Sequence, residues 1–86
     1  MTKLDVIINA LKNLGGQGVY ADIYNQCGMI YGHTLTDVEK ASIRKAIEDN
    51  SSDSKNYKGK NDIFYSVNGI GKGKWGLRNF KASKNC

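Results

Sequence analysis

Three stretches of this chain carry side chains whose types and spacing suit contact with an anion. Asn68–Arg78, NGIGKGKWGLR, sets Lys72 and Lys74 among glycines. The run SSDSKNYKGK, residues 51–60, interleaves Ser52 and Ser54 with Lys55, Lys58 and Lys60. The run SIRK places Ser42, Arg44 and Lys45 within one helical turn. Lysine, arginine, serine, asparagine and tyrosine side chains, with glycine amides, are the usual donors to nucleic-acid phosphates. An arginine on a helix can also grip a guanine edge with two hydrogen bonds, worth ~1–3 kcal/mol of discrimination.

Other chemistries fit less well. A phosphate-binding loop of the P-loop type needs a glycine five residues before the Gly–Lys pair, and a Ser or Thr after it. Counting back from Gly73–Lys74 gives Asn68, and Trp75 follows Lys74. The dinucleotide-binding fingerprint fails as well, because these glycines lie in no strand–turn–helix context. His33 is the lone histidine and reads as an exposed loop residue. One histidine on so small a domain assembles no nucleophile–base–acid arrangement. Cys27 and Cys86 have no metal-ligand spacing and read as free thiols of a reducing cytoplasm. The expectation is therefore a binding module without catalytic residues, cofactor, metal or small-molecule substrate.

Charge supports the anion reading. The chain of 86 residues has a formal net charge of +5, and the distribution is lopsided. Residues 1–54 hold five bases against seven acids, a net of −2, whereas residues 55–86 hold eight bases against Asp62 alone, a net of +7. A basic half on a small domain is the electrostatic footprint of a polyanionic partner. The bland alternative is that these lysines serve solubility, and Arg44 could pair with Glu48 at i+4 for ~0.2–0.5 kcal/mol. The acids Asp37, Glu39, Glu48 and Asp49 would repel phosphate along the third helix. Asp53 reads as a structural residue of its loop.

The elements that must position these groups follow from periodicity. Thr2 and Asp5 form a capping box, and Leu4, Ile7, Ile8, Leu11 and Leu14 make one apolar stripe, which predicts a helix over 3–14 ended by Gly15 and Gly16. Val19 could sit in a short strand. Tyr20, Ile23, Tyr24 and Cys27 recur at helical steps, predicting a second helix over 20–27 stopped by Gly28. The next segment, MIYGHTLT, reads as a loop anchored by Met29, Ile30 and Leu35. Thr36 and Glu39 form a second capping box before a helix over 37–49. Its core face would be Ile43, Ala46 and Ile47, with Ala41, Arg44, Lys45 and Glu48 opposite. DIFYSVN and KWGLR read as two strands joined by the Gly-rich turn, with Trp75 and Leu77 facing the helices. Forty per cent hydrophobic residues suffice for one small core, and no run approaches the ~20 apolar residues of a membrane span. The N-terminus, broken by Asp5 and Asn9, is not expected to be a signal peptide.

That order predicts an α+β domain over residues 1–80: a small winged helix-turn-helix of three helices plus a C-terminal β-hairpin wing, with 81–86 as a tail or linker. The sequence also resembles a known group. Ile43, Arg44, Ile47 and Ser51–Ser54, followed by Asp62, Ile63 and Phe64 and then by Gly73, Trp75, Leu77 and Arg78, resemble the winged-helix domain found beside nuclease domains in bacterial restriction systems, including modification-dependent HNH endonucleases. More distantly they are similar to the HARE-type helix-turn-helix and to the N-terminal domain of Mrr-like restriction enzymes. The resemblance spans about residues 4–78. It implies a module that binds double-stranded DNA in support of a fused or associated nuclease domain, and the free thiols add the expectation that it is cytoplasmic. Alternatives from other classes are a winged helix that docks a protein partner through MIYG and the wing, and a small phage or host transcriptional regulator.

Overall fold

In the computed structural model, which describes residues 2–59, 61–69 and 73–78, the chain forms three helices and a three-stranded antiparallel sheet. The helices are α1 (Lys3–Asn13), α2 (Tyr20–Tyr31) and α3 (Asp37–Asp49); the strands are β1 (Gln17–Val19), β2 (Phe64–Ser66) and β3 (Lys74–Leu77). Helices α1 and α3 begin where their capping boxes place them. Thr2 Oγ1 accepts from the Asp5 amide while Asp5 accepts from the Thr2 amide, and Thr36 and Glu39 repeat the exchange. Each box satisfies two otherwise orphaned amides in the first helical turn.

Helix α2 corrects the expectation from sequence. It does not stop at Gly28 but continues to Tyr31, and Gly32, at φ +87°, ends it. A glycine inside a helix costs roughly 1 kcal/mol, which local packing can offset. Here the returning chain lies directly on Gly28: its carbonyl accepts from the Gly32 and His33 amides at 2.8 and 3.1 Å, and a Cβ at Gly28 would sit 2.9 Å from the His33 carbonyl oxygen. Met29 and Ile30 are consequently helical. Met29 is 73% exposed and anchors nothing, whereas Leu35 is buried as expected.

The core lies between the helices and the sheet. Val6, Ile7, Ala10 and Leu11 of α1 meet Ile23 and Cys27 of α2, Ile43 and Ile47 of α3, and Phe64, Trp75 and Leu77 of the sheet. Each core methylene removed from water contributes about 0.8 kcal/mol, so this cluster dominates stability. Burial pushes the Cys27 thiol up to about 11, so it stays protonated and unreactive. β3 is the central strand, with order β1-β3-β2. The register pairs Gly18 with Trp75, and Phe64 and Ser66 with Leu77 and Trp75. Tyr20 N–H, at the start of α2, donates to the Gly73 carbonyl at 3.1 Å, and Leu77 N–H donates to the Gly16 carbonyl at 2.9 Å, carrying the β1–β3 pairing into the turn after α1. Gly76 must lack a side chain because the Tyr65 ring crosses it: a Cβ there would lie 2.5 Å from Tyr65 Cε1. This α+β layout is compatible with a winged-helix-like arrangement. Among the described residues no helix is long and apolar enough to cross a membrane.

Candidate nucleic-acid interface

The outer face of α3 is built as its periodicity requires. Ile43 and Ile47 are buried, and Ala41, Arg44 and Lys45 stand on the exposed side. The polar loop after α3 folds back along that face rather than away from it. Its return is fixed by the Lys58 amide donating to the Asp49 carbonyl at 3.1 Å, and by the Ile63 and Phe64 amides sharing the Asn50 carbonyl at 2.8 and 3.2 Å. Asn50 Nδ2 in turn donates to the Ala46 carbonyl at 2.7 Å, closing the helix end. Ser51, fully buried, accepts the Asp53 amide at its hydroxyl. The result is an open groove of about 400 Å³ lined by Ala41, Arg44, Lys45, Glu48, Asp49, Asn56 and Lys58. A second cleft, of about 350 Å³, adjoins it and takes in Tyr20, Ser54, Lys55, Gly73 and Trp75.

The predicted site residues thus separate into groups. Arg44, Lys45 and Lys58 share the first groove, and Ser54 and Lys55 the second. Arg44 makes no hydrogen bond or ion pair among the described residues, whereas Lys45 Nζ reaches Asp49 Oδ2 at 2.7 Å. The exposed Lys45–Asp49 pair is worth at most ~0.5 kcal/mol and yields readily to a better anion. The Ser54 hydroxyl accepts the Asn56 amide at 3.1 Å, shaping the turn that presents Lys55. Ser42 turns the other way, its hydroxyl accepting from Lys3 Nζ at the start of α1. Lys74 lies on β3, half-buried and opposite Val19. Lys60 and Lys72 lie outside the described residues.

Ser52 belongs to a different assembly. Its amide and hydroxyl both donate to Asp62, at 2.8 and 2.7 Å. Arg78 completes the cluster: Nε donates to Asp62 Oδ1 at 2.7 Å, one terminal nitrogen reaches Ser52 Oγ at 3.0 Å, and the same nitrogen pairs with Asp53 Oδ1 at 3.2 Å. Asp53 Oδ2 also accepts the Ser66 amide at 2.9 Å, extending the cluster to β2. The Ser52 donors, with Arg78 beside them, hold the Asp62 carboxyl below its ordinary value. Asp53 is structural, as its loop position suggested. Nothing local in the sequence joins it to Arg78, which stands 25 residues away.

Glu48 was also missed as a fixed element. Rather than pairing with Arg44, it accepts from Tyr20 Oη at 3.3 Å and from Asn56 Nδ2 at 2.9 Å. Burial first, and the Glu48 charge second, hold the Tyr20 phenol well above its usual range, so it remains a donor. Tyr20 is itself stacked on Tyr24 with centroids 5.7 Å apart, and tilts against Trp75 at 6.5 Å. His33, exposed as expected, sets Nε2 against both Glu39 oxygens at 2.9 and 3.1 Å. No three His, Cys, Asp or Glu side chains among the described residues are grouped to hold a metal ion. Comparison with protein-family models, curated proteins and solved structures finds no match for this chain.

Proposed function

We propose that the chain is a double-stranded DNA-binding module of winged helix-turn-helix type, with α3 as the recognition helix and the β2–β3 hairpin as the wing. The observation that carries this reading is the groove in which Arg44, unpaired among the described residues, meets Lys45 and Lys58 along one face. A helix flanked by a basic loop matches the way helix-turn-helix proteins enter the major groove while flanking donors hold the phosphates. Lys55, in the adjoining cleft, extends the basic track, and Lys74, on the hairpin, would make its own contact from the wing. The restriction-system resemblance fits this role, with cleavage left to a fused or associated nuclease domain.

Fluorescence anisotropy of a labelled duplex tests it directly. If about five phosphates are contacted, log Kd should vary with log salt with a slope magnitude of about 4–5. Absence of binding, or binding indifferent to salt, overturns the proposal. A second reading, protein docking, is favoured by the end of α2, where Met29 and Tyr31 are 73% and 42% exposed. Salt-indifferent behaviour together with loss of a partner on Met29→Asp would support it instead.

A further inference from the structure

We propose that Glu48 reads the exocyclic amino group of a cytosine in the major groove. The inference rests on the duplex-binding reading above. Glu48 lies one turn beyond Arg44 on the same face of α3, where a carboxylate opposes the approach of phosphates. Pairing with a base would relieve that opposition, but among the described residues Glu48 forms no ion pair. It is held instead by two neutral donors, Tyr20 Oη and Asn56 Nδ2. Both supports are themselves fixed: Tyr20 by its stack on Tyr24 and contact with Trp75, Asn56 by its amide bond to Ser54 Oγ. A carboxylate offers about four lone-pair sites, so roughly two remain open after these bonds.

The carboxylate is therefore oriented without being neutralised, and it opens on a groove that it shares with Arg44, Lys58 and the Lys45–Asp49 ion pair. An oriented acceptor with Arg44 and Lys58 in the same groove suits a donor carried by a polyanion. Among the major-groove edges, cytosine contributes one group, its N4 amine, flanked by the O6 of its paired guanine. Adenine sets its N6 amine beside the N7 acceptor, and guanine presents two acceptors. A carboxylate meets the cytosine amine with a flanking acceptor, the paired guanine O6, on one side only, whereas the adenine amine lies between two, which makes cytosine the base this side chain selects.

The test begins with duplexes enriched from a random library by the wild-type chain and by Glu48→Leu. Each selected cytosine is then replaced by 2-pyrimidinone, which lacks the 4-amino group. At one position the wild type should lose roughly 5- to 100-fold in affinity, and Glu48→Leu, which has no acceptor, less than about twofold. Asn56→Ala, which frees one Glu48 oxygen, should show an intermediate loss and keeps the test open should Glu48→Leu fold poorly. Equal losses for the wild type and both variants overturn the inference, as does a selected site that requires no cytosine. Wild-type binding with an unchanged preference in the variants removes the role of Glu48 alone. Failure of the wild type to bind any duplex removes the DNA-binding reading itself.

Discussion

Arg44 on the outer face of α3 and Arg78 at the end of β3 are the two arginines of the chain, and their surroundings are opposite. Arg78 is gripped by Asp53, Asp62 and Ser52, and ties the loop after α3 to the sheet. Arg44 has no such partner among the described residues, because the acid one turn along the helix is already engaged by Tyr20 and Asn56. The same guanidinium is a joint in one place and an open donor in the other. What separates them is whether the fold brings carboxylates to the side chain or spends them elsewhere. The β3 seam should therefore govern stability, and the α3 face binding.

The largest effect expected along the seam comes from Trp75, 4% exposed at the centre of the sheet. Trp75→Ala should cost about 3–5 kcal/mol, a large share of a small domain's stability. Thermal melting followed by circular dichroism checks it, and an unchanged melt would show that the seam is not where stability resides. On the other side of the comparison, Arg44→Ala should leave the melt nearly unchanged, within about 0.5 kcal/mol, as exposed substitutions usually do. The same change should cost about 1–3 kcal/mol on a selected duplex and less on scrambled DNA. Equal losses on the two duplexes would take α3 out of the reading role. A lowered melting temperature would show that Arg44 is a joint after all.

Arg78→Ala inverts that pattern on a smaller scale. It leaves Asp53 and Asp62 without the cation they share, so the midpoint of unfolding should fall by a few degrees. At constant folded fraction, duplex binding should change little. Ionic strength gives a second handle, since this exposed cluster weakens as salt is raised.

Much of this contrast could be read from the sequence, and the part that could not has a physical reason. Helices α1 and α3 carry their own start signals in Thr2–Asp5 and Thr36–Glu39, so their positions were legible from neighbouring residues. The end of α2 was not. Gly28 looks like a stop, and only the close approach of the His33 carbonyl shows it to be a contact point inside the helix. Strands β2 and β3 were legible through their apolar alternation, although β2 proper is confined to Phe64–Ser66. Arg44, Lys45 and the loop lysines announce themselves by type. That Glu48 bonds to Tyr20, 28 residues earlier, and not to Arg44, four residues earlier, depends on how α2 packs against α3. So does the assignment of Ser52 to Arg78 rather than to a ligand.

The smallest expected effect is the acid response of the seam. The Asp62 carboxyl is held below its ordinary value chiefly by the Ser52 amide, then by the Ser52 hydroxyl and Arg78. A depressed value in the folded state means that the unfolded chain takes up the proton first. The stabilisation is thus fully present above the unfolded value, near ~3.9, and is lost as pH falls through the lower folded value. Asp5 and Glu39, whose carboxyls are lowered chiefly by the Thr2 and Thr36 amides, act with the same sign at the two capping boxes. Asp62→Asn removes only the contribution of the seam. The melting temperatures of wild type and variant should differ at pH 6 and converge toward pH 3, while both decline through Asp5 and Glu39. A gap that stays constant over that range would mean that Asp62 acts through packing and hydrogen bonding alone. Arg78 would then be held by Asp53, and the electrostatic joint would move from the Asp62 side of the seam to the loop.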